Sequence, residues 1–466
     1  MVASACLKVV SLFSGAGGLD WGFREAGFEI VFANDVLEAP MRTYSRNFGL
    51  RLSYCRGGRQ HAASAGEALV CDVSLVDFSE LAGLGVDAVV GGPPCQDFSV
   101  VRGPEWDRRG IEVRRGRLYA HFVRALVQLQ PKVFVFENVP GLASSNRGLA
   151  FRTILDDLAN LNLRWDEVRR SAGIGNGTRS AQGYEVVFSG VVDFSRLGVP
   201  QKRERLIVVG VRRDLAVDRE AVASVRKVLL SDGVFSKFPL TPIEVFEGRV
   251  LPDLRDEYRE VMMKWSGVWL EVGTPRALEW KKEVWDELTL DAVKDYLAVN
   301  GVAPATEAEL EEAWRAHRRV LEELGYLGVR VCSKPLPDGT CLLPEDTAEV
   351  RERMKRIPPG ENHEFVRGTR WEVEGRGISL VYRRIHPLKP SYTVVAYGGG
   401  GTHGYHYDRD RATLSLREKA RLQTFPDSFL FSGSRTEIRA QIGEAVPALA
   451  AKRIAEAVQQ LLRLTD

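Results

Sequence analysis

The sequence has no long hydrophobic run and no marked surplus of charge. No apolar segment approaches the about 20 residues of a transmembrane helix, so no membrane protein is expected. The N-terminal stretch MVASACLKVVSLFSGAGG has no charged leader followed by an apolar core and a cleavage site. No signal peptide is therefore predicted, and the expected location is the cytoplasm. Lysines and arginines number 64 against 62 aspartates and glutamates, and this balance neither requires nor excludes a nucleic-acid partner.

Cysteine and histidine are also scarce. The six cysteines include no CxxC pair, and the seven histidines do not stand in metal-ligand spacing near them. We therefore expect neither a disulfide framework nor a bound metal in a chain of 466 residues. One cysteine has unusual surroundings, because Cys95 follows VVGGPP, an apolar run that ends in two glycines and two prolines.

Short β-rich segments alternate with helical patterns over the first 210 residues. This alternation predicts an α/β fold with a Rossmann-like, mostly parallel sheet that helices cover on both faces. Ligands of such sheets bind at the carboxyl ends of the strands. The predicted strands are residues 7–13, 29–34, 86–92, 132–138, 184–193 and 205–211.

The pattern changes after residue 211. Residues 1–211 are predicted to form the first domain, and residues 212–412 a second, smaller one with a charged, tryptophan-bearing helical insertion at about 254–324. Residues 413–466 are helical again and are predicted to return to the first domain. The sequence shows no internal repeat and no low-complexity segment.

A glycine-rich turn, LFSGAGGLDWGF at 12–23, joins the first strand to the first helix. Its amides are suited to hold a ligand, although it lacks the GxGxxG spacing and a plain tight turn fits as well. Asp35 ends the next strand, 20 residues after Gly15, where a carboxylate usually binds a ribose hydroxyl. Asp72, in VCDVS, is suited to read an adenine edge in the same cleft or to cap a helix.

Three further motifs lie at strand ends. A thiolate at Cys95, on a loop stiffened by prolines, fits a nucleophile, and a small core cysteine is the alternative. Glu137 ends the apolar strand VFVFEN, where partial desolvation favours a carboxyl group that holds a proton near neutrality; a surface turn glutamate is the alternative. Arg203 and Arg205 alternate on entering a strand, so they are expected to share one face, for phosphate or base recognition or as a solvated edge.

The segment VVRGPEWDRRGIEVRRGR, residues 100–117, soon follows Cys95. It carries six arginines against one aspartate and two glutamates. A basic segment beside a nucleophile is typical of a lid over a polyanion, and a surface loop without a ligand is the alternative.

These motifs together resemble the DNA (cytosine-5) methyltransferases, which use S-adenosylmethionine. LFSGAGGLDWGF is similar to the family's first motif, GGPPCQDFS to its catalytic loop, ENVPGL to its glutamate motif and QKRERL to its arginine motif. LSLREKARLQTFPDSF and QIGEAVPALAAKRIA resemble its last two motifs. The resemblance covers nearly all of the chain outside about 212–380. It implies double-stranded DNA as the substrate and a restriction–modification system, with a cognate restriction endonuclease encoded nearby.

The resemblance also implies a role for each matched residue. Cys95 would attack C6 of a flipped-out cytosine, Glu137 would protonate the N3 side of the ring, and Arg205 would contact the base with support from Arg203. Asn138 would position the loop of Cys95. The implied cofactor-binding residues are Phe13, Gly15, Gly17, Asp35, Asp72, Pro94, Leu118 and Val446. Along the DNA we expect Gln96 and Ser99, together with Arg102 and Arg115 of the basic segment.

The region between the arginine motif and the last two motifs is implied to choose the DNA target. In it, Arg383, Arg384 and Lys389 are candidates for phosphate contacts. Thr393, His403 and His406 are candidates for contacts with bases or backbone, and each of the six is also compatible with a structural role.

One position departs from the family pattern, and three alternative functions stay open. Glu444 stands where asparagine is usual, which puts contact with the cofactor's amino-acid end in doubt. A tRNA cytosine-5 methyltransferase is one alternative, but such proteins are shorter and lack a large recognition domain. A catalytically inactive DNA-binding relative is another, although Cys95 and Glu137 argue against it. A nicotinamide-dependent oxidoreductase is suggested by the glycine turn alone. One flipped base needs one active site, so a monomer is expected.

Overall fold

A computed structural model describes most of the chain, in two compact units. The described residues are 6–94, 118–163, 165–171, 181–230, 233–302, 304–373, 381–398, 401–402 and 404–463. Unit 1 comprises residues 1–193, 204–231 and 445–466, and unit 2 comprises residues 194–203 and 232–444. These units are divided by compactness, and their boundaries differ from the domain boundaries at 211 and 412 that the sequence suggests. The predicted domains stay predictions.

Unit 1 is built on a central sheet. Its described strands are β1 (Lys8–Leu12), β2 (Glu29–Asp35), β3 (Arg51–Tyr54), β4 (His61–Ala62), β5 (Glu67–Val70), β6 (Val76–Asp77), β7 (Ala88–Gly91), β8 (Val133–Asn138), β9 (Tyr184–Asp193) and β10 (Glu204–Arg212). Eight of them form one sheet in the order β3-β5-β2-β1-β7-β8-β10-β9, and β4 pairs separately with β6. The first six strands of the sheet are parallel, whereas β10 runs antiparallel to both β8 and β9. The predicted α/β fold with a mostly parallel sheet is confirmed.

The described helices follow the apolar patterns of the sequence. In chain order they are α1 (Gly18–Glu25), α2 (Glu38–Phe48), α3 (Ser79–Ala82), α4 (Tyr119–Leu129), α5 (Gly141–Ser144), α6 (Leu149–Asn160), α7 (Asp166–Ser171), α8 (Arg219–Leu229), α9 (Val234–Lys237), α10 (Pro242–Glu247), α11 (Arg255–Met263), α12 (Val268–Val272), α13 (Pro275–Trp280), α14 (Ala292–Val299), α15 (Glu307–Glu323), α16 (Ala348–Met354), α17 (Leu416–Leu422), α18 (Arg435–Glu444) and α19 (Ala448–Arg463). Helices α1 to α8 and α19 belong to unit 1. Within the described part of the chain, no helix combines the length and the apolar character that crossing a membrane requires.

The C-terminal helix α19 packs against α1 in unit 1. Gly22 of α1 makes this possible, because a Cβ atom there would collide with Ala451 and with the backbone of Lys452. The contact places the chain's last helix beside the glycine turn that opens α1.

Unit 2 has a helical and aromatic core. The predicted helical segment 254–324 contains α11 to α15, and its tryptophans are mostly internal: Trp265 and Trp280 are fully buried. His317 of α15 is also fully buried. It bonds to the carboxylate of Glu244 at 2.9 Å and to the carbonyl of Phe238 at 2.9 Å. This segment therefore carries part of the core of unit 2.

The described residues form two disulfides, although no disulfide framework was expected from the sequence. Cys55 is bonded to Cys71 and Cys332 to Cys341, with 5.4 Å between the Cα atoms of each pair. The partners are 16 and 9 residues apart, and only the folded backbone brings them within bonding distance. Cys6 is a free, exposed thiol.

Candidate active site

The predicted site residues of unit 1 gather at the carboxyl edge of the sheet. Leu12, Gly91 and Phe136 are neighbours across β1, β7 and β8, so the residues that follow them emerge side by side. The strand order also reverses here, because β2 lies on one side of β1 and β7 on the other. Such a switch point is where open α/β sheets bind their ligands.

The glycine turn is attached to the end of β2 through Asp35. The amide of Gly15 donates to Oδ2 of Asp35 at 3.0 Å, and the amide of Leu37 donates to Oδ1 at 2.9 Å. Burial raises the pKa of Asp35, and these two hydrogen bonds oppose the rise. Phe13 adopts a left-handed φ of 55°, which bends the chain sharply after β1.

Most of the turn's amides are used within the protein. Besides Gly15, the amide of Ser14 donates to the carbonyl of Asn34 at 3.1 Å and that of Gly17 to the carbonyl of Ser14 at 2.9 Å. The expectation that this set of amides holds a ligand is therefore wrong for these three. Gly17 has a φ of 91°, and a Cβ atom there would lie 2.6 Å from the ring of Phe48. The described role of the turn is to bend the chain between β1 and α1, with left-handed φ values at Phe13, Gly15 and Gly17.

The other predicted cofactor residues of unit 1 have varied surroundings. Asp72 is exposed and caps a short 3₁₀ turn, since its Oδ1 accepts from the amide of Ser74 at 2.9 Å. This is the capping alternative of the sequence analysis. Pro94 is exposed, Leu118 is half-buried against the core, and Val446 is buried. Their contact with the cofactor stays a prediction.

Glu137 and Arg205 form an ion pair at the same edge. Nε of Arg205 lies 3.1 Å from Oε1 of Glu137, and their side chains are only 14% and 13% exposed. Because β10 runs antiparallel to β8, the start of β10 lies at the carboxyl end of β8. Burial lowers the pKa of Arg205, and the carboxylate of Glu137 opposes this shift. The pair holds a carboxyl group in a fixed position within a largely desolvated site.

The start of the Cys95 loop is attached to the strand that carries Glu137. Nδ2 of Asn138 donates to the carbonyl of Pro93 at 3.0 Å. Gly92 lies against Glu137, and a Cβ atom on it would be 2.6 Å from Oε2 of that residue. Gly92 was not among the predicted site residues, although it lies in the VVGGPP motif. The VVGGPP motif therefore contacts the strand that carries Glu137 through Gly92 and Pro93.

Several predicted residues lie outside the described part of the chain. They are Cys95, Gln96, Ser99, Arg102 and Arg115, the basic segment 100–117, and His403.

Arg203 and Arg205 have different partners. Arg203 precedes β10 and is 1% exposed; its guanidinium donates to the carbonyls of Gly443 at 2.9 Å and Val394 at 3.4 Å, all within unit 2. Arg203 lies one residue before the start of β10, and the prediction that both arginines share one strand face stays a prediction. Glu444, which departs from the family pattern, is the exposed last residue of α18.

The structure separates the candidate DNA contacts of unit 2 into buried and exposed groups. Arg384 is fully buried and donates to the carbonyls of Ile357 and Asp408, so its prediction as a phosphate contact is wrong. His406 is buried and stacked on Phe246. At 7% exposure, little of its ring is open to a base.

The exposed group includes a lysine that the sequence analysis missed. Lys389 and Thr393 are exposed, and Oγ1 of Thr393 donates to the carbonyl of Lys202 at 2.7 Å. Lys202 is itself exposed. The pKa of Lys389 is lowered mainly by partial burial and further by the nearby charge of Lys202. Its position within QKRERL was the available signal. Arg383 lies over the ring of Tyr392, 3.2 Å from its centroid.

Known proteins are similar to this chain in sequence and in fold. The family described as C-5 cytosine-specific DNA methylase matches residues 7–460. The DNA (cytosine-5-)-methyltransferase M.ApeKI of Aeropyrum pernix is 63% identical, over 98% of each chain. The type II methyltransferase M.BbvI of Brevibacillus brevis is 31% identical, over 96% of this chain and 89% of its own. The crystal structure of a prophage-encoded protein of E. coli has a TM-score of 0.54 at 22% identity, covering 98% of this chain and 99% of its own, which shows the fold.

The α/β fold and the family match define a methyltransferase that uses S-adenosylmethionine. With residues 7–460 matched, the chain belongs to the C-5 cytosine-specific DNA methylases. Its reaction is the transfer of a methyl group from S-adenosylmethionine to C5 of cytosine in DNA. The matches favour this function over the tRNA methyltransferase, the inactive relative and the oxidoreductase.

Proposed function

We propose that the protein methylates a flipped-out cytosine within one specific double-stranded DNA sequence, through a covalent bond between Sγ of Cys95 and C6 of the base. The observation that carries this proposal is the buried Glu137–Arg205 pair, 3.1 Å apart, beside the base of the Cys95 loop. Asn138, next to Glu137, bonds to Pro93, two residues before Cys95. Asn138 thus ties the residues that lead into Cys95 to the strand end that carries the carboxyl group of Glu137.

The proposed chemistry follows from the weak nucleophilicity of cytosine C5. Addition of the Cys95 thiolate to C6, with a proton delivered to the N3 side by Glu137, makes C5 react like an enamine carbon. Arg205 keeps the carboxyl group of Glu137 oriented towards the ring. Bound S-adenosylmethionine supplies an electrophilic methyl group. A base then removes the proton from C5, the C6–S bond breaks to release the thiolate of Cys95, and the N3 side returns its proton to Glu137.

The residues at the edge of β2 fit S-adenosylmethionine. The carboxyl group of Asp35 stands at the strand end, where it is suited to accept hydrogen bonds from ribose hydroxyls. The next two residues, Val36 and Leu37, are apolar yet 62% and 49% exposed, which gives a flat ring an apolar surface beside the ribose site. Phe13, Gly15 and Gly17 shape the turn beside them.

The remaining predicted cofactor contacts extend this pocket. We assign Asp72, Pro94, Leu118 and Val446 to its walls. Arg203 is assigned a positioning role, because its guanidinium holds the backbone carbonyls of Gly443 and Glu444.

DNA binding has to offset the cost of flipping a base, which is a few kcal/mol. We assign this task to the basic segment 100–117, with Arg102 and Arg115, and to contacts of Gln96 and Ser99 with the target nucleotide. On unit 2 we assign phosphate contacts to the exposed Lys389 and Lys202 and to Arg383, which is half-buried over Tyr392. Target choice belongs to the region 212–412.

We further propose that the enzyme acts as a cytoplasmic monomer in a restriction–modification system, protecting host DNA against a restriction endonuclease encoded nearby. The support is the similarity to M.BbvI and M.NgoFVII (30% identical over 97% of this chain and 86% of its own, from Neisseria gonorrhoeae), both described as type II methyltransferases.

The test is methyl transfer from tritiated S-adenosylmethionine to unmethylated genomic DNA, with total RNA in parallel and Cys95→Ser as the control. Bisulfite sequencing then locates the product. We expect 5-methylcytosine at one short DNA motif with the wild type and none with Cys95→Ser. Label in RNA alone, or in DNA with Cys95→Ser at the wild-type rate, would overturn the proposal.

A further inference from the structure

We propose that the Cys55–Cys71 disulfide positions the wall of the cofactor pocket that carries Asp72, and that breaking it weakens binding of S-adenosylmethionine. The inference rests on the proposed function in one respect, the assignment of Asp35 and Asp72 to that pocket. Neither cysteine takes part in the chemistry.

The disulfide lies at the carboxyl edge of the sheet. Tyr54 and Val70 are the last paired residues of β3 and β5, and the bonded cysteines follow directly. The amide of Cys55 also donates to the carbonyl of Val70, at 3.3 Å. Since β3 is the edge strand of the sheet and only four residues long, the covalent bond secures the strand at the end nearest the ligand.

The Cys71 end of the bond is held by the strand that carries Asp35. The amide of Cys71 donates to the carbonyl of Asp35 at 2.9 Å, and Nδ2 of Asn34 donates to the carbonyl of Cys71 at 3.0 Å. Cys71 itself is 3% exposed. The disulfide therefore belongs to the same connected structure as both acidic residues assigned to the pocket.

Asp72 lies between two attachments of one chain segment. Residues 55–62 are joined to the segment 71–77 at one end by the disulfide and at the other by pairing of β4 with β6. Arg124 adds hydrogen bonds to the carbonyls of Val73 and Val76, at 2.6 Å each. Without the disulfide, the backbone just before Asp72 is held only by the hydrogen bonds of Cys71 with Asp35 and Asn34. A looser Asp72 has to be ordered again each time the cofactor binds, which lowers affinity.

The first measurement is peptide mapping of full-length protein alkylated without reductant. A cross-linked peptide pair containing Cys55 and Cys71 is expected. A phosphine reductant then breaks the bond: the phosphine gives two electrons to the disulfide and becomes its oxide, and one water molecule supplies the oxygen of the oxide and the two protons of the thiols. Calorimetry of S-adenosylmethionine binding before and after reduction gives the change in Kd.

Two variants separate positioning from general stability. Cys55→Ser should raise the Kd and the KM for S-adenosylmethionine about fivefold, a shift of about 1 kcal/mol, with kcat unchanged. Cys332→Ser removes the other disulfide, in unit 2, and should leave both constants unchanged. If the bond acts through Asp72, combining Cys55→Ser with Asp72→Ala should cost less than the sum of the two single changes.

Three results would overturn the inference: no cross-linked pair in the mapping, an unchanged Kd after both reduction and Cys55→Ser, or strictly additive effects with Asp72→Ala. Because Kd is measured without DNA, failure of the wild type to methylate DNA would count against the proposed function alone. Reduction of the wild type covers the case in which Cys55→Ser does not fold.

Discussion

Replacement of Gly92 by alanine is expected to damage catalysis while sparing the fold. The added Cβ atom would lie 2.6 Å from Oε2 of Glu137, whereas ordinary contacts begin at 3.4 Å. The carboxylate must therefore move by about 0.8 Å, which disturbs its 3.1 Å contact with Arg205. The colliding atom is the end of a flexible side chain, and Gly92 has no φ that alanine avoids. The free energy of unfolding should fall by less than about 1 kcal/mol.

The catalytic effect should be much larger than the effect on stability. A displacement of about 1 Å at a reacting group costs on the order of 100-fold in rate, which equals about 2.7 kcal/mol of transition-state stabilisation. The assay is single-turnover methyl transfer at saturating DNA and cofactor, with thermal unfolding measured in parallel. Gly83→Ala is the matched control, because the nearest atom to its new Cβ is 3.9 Å away.

Two results would refute this reasoning. One is a Gly92→Ala enzyme with the wild-type rate, which would show that the position of the Glu137 carboxyl group does not limit the reaction. The other is a fall in the unfolding temperature large enough to explain the lost activity.

Three more predictions concern buried charges, each measured by urea unfolding. His317→Phe should cost about 3 kcal/mol, because the carboxylate of Glu244 would stay buried with its hydrogen bonds from Thr241 and Leu251 but without the positive charge beside it. Burial lowers the pKa of His317, but the charge and hydrogen bond of Glu244 and the carbonyl of Phe238 together raise it more. The contribution of His317 is therefore complete below the ordinary histidine pKa of 6.5 and is lost as pH rises through the higher folded value. Arg384→Met should cost at least about 3 kcal/mol, because several buried carbonyls lose their donor. Burial raises the pKa of Asp20 from 3.8 to about 7, so its ionisation opposes folding. The wild type should therefore lose up to about 4 kcal/mol between pH 4 and 8, a slope that Asp20→Asn removes.

Each of these predictions has a result that contradicts it. A His317→Phe protein as stable as the wild type would mean that Glu244 finds another donor or takes up a proton. Arg383→Met, at the stacked surface position beside Arg384, should change stability by less than about 0.5 kcal/mol, and an equal loss in both variants would remove the argument from burial. An unaltered pH slope in Asp20→Asn would assign the slope to other groups.

Much of the fold was predictable because its main strands are continuous apolar runs. The segment predicted at 184–193 has the bounds of β9, and β8 begins one residue after its predicted start. The short strands β3 to β6 were not predicted. His61–Ala62, for example, forms a strand only because Val76–Asp77 lies beside it. Pairing of this kind depends on distant residues, and a local pattern does not contain it.

The site could be predicted in part. Strand ends and the family resemblance led to Glu137 and Arg205, which the structure brings together, and the resemblance led to Asn138 as the residue that holds the loop. The basic character of Arg384 made it a candidate phosphate contact, although that side chain is buried among backbone carbonyls. Residue type shows that an arginine can bind phosphate, but its burial depends on how the surrounding loops pack.

The sequence by itself determined the reaction class, because the chemistry needs particular residue types in a particular order and those are visible as motifs. It also determined the α/β class, because hydrophobic periodicity is a local property. The tertiary structure decided which partners these residues have. It joined Cys55 to Cys71, placed Gly92 against Glu137, and gave Arg203 partners unlike those of Arg205. These contacts join residues up to 240 positions apart, and only packing of the whole chain sets such distances.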